Sequence, residues 1–325
     1  MGRALGATRQ PLRKAVRIHG YGGPECLQLV DAPIPSCGAN DVLVRVVAAG
    51  INPIDWKIRS GAMAQSLPRP FPFTLGADGA GVVAAVGGAA TGFKTGAEVF
   101  FYAEFARGGS CAEYVAVAAS QVARKPRTVP FAAAAALPTP GQAAWTALFD
   151  TARIEAGMRV LIHGGAGALG SVAVQLAKVH GLHVIATASG VDVDLVRSLG
   201  ADEVIDYRQQ RFEELVQAVD VVLDTQGGPT QEASWRTLKP DGILVATTQP
   251  PAPERAAAAG VRAAFVFTAP RGAVLAQLAQ RVDAGLVRLL VGQEFALADA
   301  AQAHRLGESG QARGKMILHV AAPHA

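Results

Sequence analysis

The chain has 325 residues, half of them hydrophobic and 17% charged, with a formal net charge of +4 and a pI near 9.1. Those figures exclude wholesale disorder, and the scattered Lys and Arg form no basic run with interleaved aromatics of the kind nucleic acids require. Gly, Pro or charge breaks the apolar stretches before the ~18 residues of a membrane span, and Cys26, Cys37 and Cys111 are spaced for neither a disulfide framework nor a CxxC zinc clip, which fits reduced thiols in a cytoplasm.

Residues 1–13 carry Arg3, Arg9 and Arg13, no acid and no apolar core of a targeting peptide, and read as an extension before the first strand. A strand is expected over 14–19, then a Gly/Pro turn over 20–24. The segment DVLVRVVA (41–48) alternates and is β-branched, and 79–86 and 97–102 are further strands. This part is a β-rich unit whose loops are placed to line a cleft. An alanine run over 131–137 is punctuated by Pro138 and Pro140, and a helix follows over 141–152.

The pattern then changes. Strands over 159–163, 183–187, 203–205, 220–224, 242–247 and 263–268 alternate with helices over 169–180, 192–199, 211–218 and 230–238, with a proline break at 250–253 before the last strand. Such alternation specifies an α/β fold with a doubly wound parallel sheet. Helices over 273–284 and 298–308 and a strand over 315–320 complete the chain, which is long enough for two domains.

The most informative stretch is RVLIHGGAGALGS (159–171), where an apolar strand feeds Gly165-x-Gly167-x-x-Gly170 and a helix follows. Glycines at these places permit a tight turn, close approach of backbone to a pyrophosphate, and helix-on-strand packing; the helix N-terminus then offers free N–H groups to phosphate. The strand–turn–helix context makes this a dinucleotide site, with Gly165, Ala166, Gly167, Ala168, Leu169 and Gly170 as its contacts. NAD-binding units place an acid about 20 residues beyond the last glycine, on the ribose hydroxyls. Here Thr187-Ala188-Ser189 holds none. A 2′-phosphate is therefore tolerated and NADPH is the expected cofactor, with Ser189 as donor and Tyr207 and Arg208 reaching it from the next strand end. Asp192 and Asp194 oppose that preference.

Six segments, KAVRIHGYGGPECLQL (14–29), AAGINPIDWKIRSG (48–61), LGADGAGVVAAVG (75–87), HGGAGALGSVAVQLAK (163–178), SLGADEVIDYR (198–208) and ARGKMIL (312–318), follow one another as in a known family. Across about 14–320 the chain resembles the zinc-independent quinone oxidoreductases of the medium-chain dehydrogenase/reductase superfamily, and within them the NADPH-dependent quinone and enone reductases. The resemblance implies a GroES-like catalytic domain built from 14–130 and 270–325, with a Rossmann domain over 131–269 inserted. It implies hydride transfer from NADPH to a quinone, or alternatively to an enone or alkenal double bond, in a homodimer joined through the nucleotide-sheet edge near 261–268. Relatives with zinc carry Cys at the place of Asn52 and Gly-His-Glu at 76–78, where this chain has Gly76-Ala77-Asp78; no metal site is expected. A reading of a different class, a non-catalytic nucleotide-binding protein, draws only on Ala143 and the acids at 192 and 194.

By the same resemblance, Asn52, Asp55 and Lys57 face the nicotinamide. Lys57 is the candidate to bond the nicotinamide ribose or polarise the acceptor carbonyl, Asn52 is positional, and Asp55 complements a helix dipole. Most relatives carry Thr where this chain has Ala143, which leaves Thr139, or backbone near Thr247, Phe265 and Phe267, to meet the carboxamide. Tyr102, Phe71, Phe73 and Phe105 are either an apolar wall for a planar acceptor or core. His163 reads as a packed strand-end histidine, and Arg313 and Lys315 either close the cleft or cap the surface.

Overall fold

In the computed structural model, which describes residues 11–322, the alternating stretch around Val42, Val44 and Val46 is the central strand of one of two large sheets. The first eight strands are β1 (Leu12–Ile18), β2 (Gln28–Pro33), β3 (Asp41–Gly50), β4 (Phe73–Thr74), β5 (Asp78–Val86), β6 (Glu98–Tyr102), β7 (Tyr114–Ala118) and β8 (Val122–Arg124). Strand β1 makes a small sheet with β2 and β4, while β3 pairs antiparallel with β5 and β7. Val42, Val44 and Val46 are fully buried, and from Val47 to Ala49 both faces of β3 are covered. That doubly covered end carries the chemistry described below.

The alternating half folds into β9 (Arg159–Ile162), β10 (His183–Ala188), β11 (Glu203–Asp206), β12 (Val219–Asp224), β13 (Leu238–Ala246) and β14 (Arg262–Phe265). These form one sheet, all parallel, in the order β11-β10-β9-β12-β13-β14. The order reverses between β9 and β12, and ligands of such sheets bind beyond the strand carboxyl ends at that point. The glycine turn leaves β9 there and enters the helix Ala168–Val179.

The chain then returns. Strands β15 (Val291–Ala296) and β16 (Lys315–His319) extend the first sheet, β16 lying antiparallel to β3 with Ile317 opposite Gly50. The architecture is thus a Rossmann sheet inserted into a GroES-like β-rich domain. No helix among the described residues is long and apolar enough to cross a membrane.

Several boundaries differ from the sequence expectation. The helix expected over 141–152 begins at Pro138, which suits a first helical position because the missing N–H has no partner there anyway. It widens into a π-turn over Thr146–Ala152 and stops at Arg153 in the left-handed region. The helix expected over 211–218 shortens to Phe212–Leu215 because Val216 turns extended and is buried. Strands β2, β8 and β15 and the helix Pro253–Ala259 lack clean periodicity and escaped the sequence reading, as did the short alternating β7.

Candidate active site

The turn after β9 is held from both sides. Gly164 has φ +68°, and a Cβ on Gly170 would lie 2.1 Å from the Gly164 carbonyl oxygen, so the helix meets the turn only because that position has no side chain. Gly165 is packed beneath, its N–H donating to Thr187 O at 2.8 Å, and does not line the cleft itself; Ala166, Gly167, Ala168, Leu169 and Gly170 do. Gly167 caps the helix without a side chain. The first-turn N–H groups are thereby left without a capping side chain at the positive end of a twelve-residue helix. That cradle fits a diphosphate.

His163 braces the turn from within. Ser234 Oγ donates to Thr230 O at 2.6 Å, so it accepts from His163 Nε2 at 2.9 Å. Thr187 Oγ1 accepts the Gly164 N–H at 3.2 Å and donates to Nδ1 at 3.2 Å. Burial pushes the imidazole pKa down to about 4, against the pull of Asp224 and Glu213. It is a neutral hydrogen-bond hub.

At the end of β10, Ser189 donates its hydroxyl to Asp192 Oδ2 at 2.5 Å. Both line the cleft, as do Tyr207 and Arg208 from the end of β11. Arg211 nearby is held by Glu213 and Glu214, whereas the exposed Arg208 guanidinium has no carboxylate partner among the described residues. Thr247, Phe265 and Phe267 also line the cleft, the two rings 41% and 58% exposed.

The cleft encloses about 1400 Å³ and continues without interruption to Asn52, Lys57, Tyr102 and Thr139. That exceeds the ~300–1,000 Å³ of a site for one drug-sized ligand, and leaves room for a dinucleotide and a second small molecule. Lys57, on the helix Pro53–Arg59, is half-buried, and its ammonium has no hydrogen-bond partner among the described residues. Tyr102 donates to Thr268 O at 3.1 Å, and burial together with Asp78 and Asp55 raises its phenol pKa. Phe105 meets the Tyr102 ring edge-on, with centroids 5.7 Å apart.

Beneath the cleft lies a cluster that the sequence did not announce. Asp78 Oδ2 accepts from Lys315 Nζ at 2.7 Å and from Asn52 Nδ2 at 3.0 Å, and Asn52 Oδ1 accepts a second bond from Lys315. Asp78 Oδ1 accepts both the N–H of Thr139, at 2.9 Å, and its hydroxyl. Asp55 clamps the neighbouring backbone, accepting from Asn52 N–H at 2.7 Å and Gly76 N–H at 3.1 Å. Burial nevertheless pushes its carboxyl pKa up to about 7.

Two expectations are corrected. Phe71 is outside the cleft, 38% exposed and edge-on to Tyr21, while Phe73 takes the core alternative the sequence left open for it. Lys315 neither closes the cleft nor caps the surface; it is 3% exposed and paired with Asp78. The available signal was Asp78, a lone acid in the small, apolar run LGADGAGVV (75–83). Among the described residues no three His, Cys, Asp or Glu side chains gather as metal ligands.

Comparison with known proteins agrees with this layout. Residues 38–127 match the alcohol dehydrogenase GroES-like domain, and residues 199–318 the family described as zinc-binding dehydrogenase. The chain is 32% identical to the quinone oxidoreductase of Mus musculus, over 96% of this chain and 99% of that one. It is 37% identical to the chloroplastic NADPH-dependent alkenal/one oxidoreductase of Arabidopsis thaliana, over 94% of this chain and 79% of the relative. The solved structure of the quinone oxidoreductase from Coxiella burnetii superposes with a TM-score of 0.89 at 34% identity, covering 96% of this chain and all of that one.

Proposed function

Since the chain belongs to the quinone oxidoreductase branch of the medium-chain dehydrogenase/reductase superfamily, we propose that it is a zinc-independent, NADPH-dependent reductase of quinones. The observation that carries this reading is the single cleft joining the side-chain-free helix N-terminus at Gly167 to Lys57, Tyr102 and Asn52. When bound, a reduced nicotinamide dinucleotide supplies a hydride. The turn from Gly164 to Gly170 holds the diphosphate, and Arg208 and Tyr207 receive the 2′-phosphate. Lys57 donates to the acceptor carbonyl, and Tyr102 and Phe105 give a planar ring an apolar wall.

Zinc does not suit the donor set. Asn52 and Ala77 stand where zinc relatives have Cys and His, and the Lys315 ammonium already bridges Asn52 and Asp78, so a second cation there is repelled. A quinone is electrophilic enough to accept hydride without a Lewis acid. The test is NADPH oxidation with small quinones in the presence of a chelator; absence of turnover across a quinone panel overturns the reading.

An enone or alkenal acceptor is the second reading, favoured by the 37% identity to a relative named for alkenals and enones. Lys57→Ala then depresses enone reduction far more than quinone reduction; equal losses argue for the quinone. The open outer edge of β14 suits pairing with a second copy, and light scattering returning a monomer removes that part of the proposal.

A further inference from the structure

The buried ions beneath the cleft determine which way one amide points. Asp78, Lys315 and Asn52 are 0%, 3% and 3% exposed, and they come from β5, β16 and the turn before the helix Pro53–Arg59. Burying two opposite charges is costly, and apolar side chains of similar volume often stabilise a fold as well or better. The pair therefore calls for a reason beyond stability. An amide side chain is nearly symmetric in shape, and in a neutral pocket its oxygen and nitrogen exchange places at little cost. Here they do not. Lys315 has only donors, so the atom facing it is Oδ1; ionised Asp78 has only acceptors, so the atom facing it is Nδ2.

An amide nitrogen carries two hydrogens. One goes to Asp78 Oδ2, and the other has no acceptor among the described residues, on a residue that lines the cleft. We propose that Lys315 and Asp78 are positioning residues that lock the Asn52 carboxamide, and that its second Nδ2–H is a fixed donor to the acceptor's carbonyl oxygen as that oxygen gains negative charge. Donors held in place before charge develops need no reorganisation, which is where such sites gain most of their effect. The inference rests on the reductase reading. For an enone, the incoming hydride pair forms the new C–H bond at the β carbon, the C=C pair shifts toward the carbonyl carbon, and the C=O π pair settles on oxygen. Asn52 donates to that oxygen, and water then protonates the α carbon.

The test uses Asp78→Asn combined with Lys315→Met, a near-isosteric pair that removes both charges and leaves neither ion stranded, alongside Asn52→Leu. A stable aryl oxyanion, 4-nitrophenolate, probes the donor in the oxidised-cofactor complex through its visible absorbance, with 4-nitroanisole as the neutral control. Each variant is expected to weaken phenolate binding about tenfold, to leave 4-nitroanisole and cofactor affinity (by fluorescence) within twofold, and to lower kcat on an enone more than on a quinone. Combining all three substitutions costs no more than the Asp78/Lys315 pair alone, because they act through one donor. Wild-type phenolate affinity in a folded Asp78/Lys315 variant overturns the proposal. Should that variant not fold, unchanged phenolate affinity in Asn52→Leu overturns it equally. NADPH turnover on quinones alongside unchanged phenolate binding rejects this inference alone, whereas no turnover on any acceptor rejects the underlying reductase reading.

Discussion

Ser189 and Asp192 are joined at the end of β10 by a 2.5 Å hydrogen bond in which the hydroxyl donates. The residue read from the sequence as a phosphate donor thus already points its hydroxyl hydrogen at a carboxylate. Asp192→Asn removes the negative charge and loosens the hold on that hydroxyl, because an amide oxygen is a weaker acceptor than a carboxylate. A solvated charge about 6 Å away is worth ~1 kcal/mol or less, so the unmodified protein is expected to prefer NADPH modestly, about tenfold in kcat/KM. The substitution should raise that ratio about fivefold, with the gain shrinking as salt is added. A fall in the ratio contradicts repulsion of the 2′-phosphate by Asp192.

Arg208 offers the complementary experiment. Its guanidinium is exposed in the cleft while Arg211 is held by two glutamates. Arg208→Gln is expected to lower kcat/KM for NADPH about fivefold, equivalent to ~1 kcal/mol, and to leave NADH unaffected. Steady-state kinetics with the two cofactors decides it; equal losses for both point to a structural role.

Two glycines of the turn respond differently to a methyl group. At Gly170 the added carbon meets the Gly164 carbonyl oxygen at 2.1 Å, a backbone atom that moves only with the turn itself. At Gly164 the close neighbours are the end of the Gln226 side chain, which swings aside, and Thr225 Oγ1 at 2.9 Å, so a modest shift of Thr225 adds to the cost of the positive φ. Gly164→Ala is expected to lose about 1–2 kcal/mol and Gly170→Ala at least ~3 kcal/mol together with cofactor binding. Urea midpoints and NADPH fluorescence measure both, and the reverse order of severity contradicts the packing described.

Asp55 and His163 give opposite pH signatures. Asp55 is raised to about 7 in the fold, so its contribution is complete below pH 4 and is lost as pH rises toward 7, by at most about 4 kcal/mol. The stability gap between the wild type and Asp55→Asn should therefore narrow from pH 4.5 to 8. His163 is lowered to about 4, so its contribution is present above pH 6.5 and is lost as pH falls toward 4. The gap between the wild type and His163→Gln should widen over the range in which the first narrows. Urea titrations across that range check both signs.

The nucleotide half was legible because its determinants are local. An apolar strand, a glycine turn and a helix lie within 159–180, and the alternation that follows fixes a parallel sheet. The acceptor end was less legible. Lys315 and Asp78 are separated by 237 positions, and no periodicity links a lysine opening one strand to an aspartate opening another. Phe71 misled for a related reason. An aromatic near a cleft-forming segment is equally able to stack on a surface neighbour such as Tyr21, and composition does not distinguish the two. Asn52 was recognised as a residue of interest, but the orientation of its amide depends on partners from two distant strands.

Strand β16 lies beside β3 although the residues that meet there, Lys315 and Asn52, are 263 positions apart. Translation delivers the two at very different times. The parallel sheet has all its strands once Phe265 has emerged, so it is able to mature while β3 still lacks a neighbour beside Ala48–Gly50, the part of that edge β7 does not cover. During that interval a buried-to-be aspartate has no counter-ion and a central strand exposes unpaired backbone. The nascent chain is most exposed to wrong pairing in the stretch of synthesis between the completed nucleotide half and the arrival of its last strand.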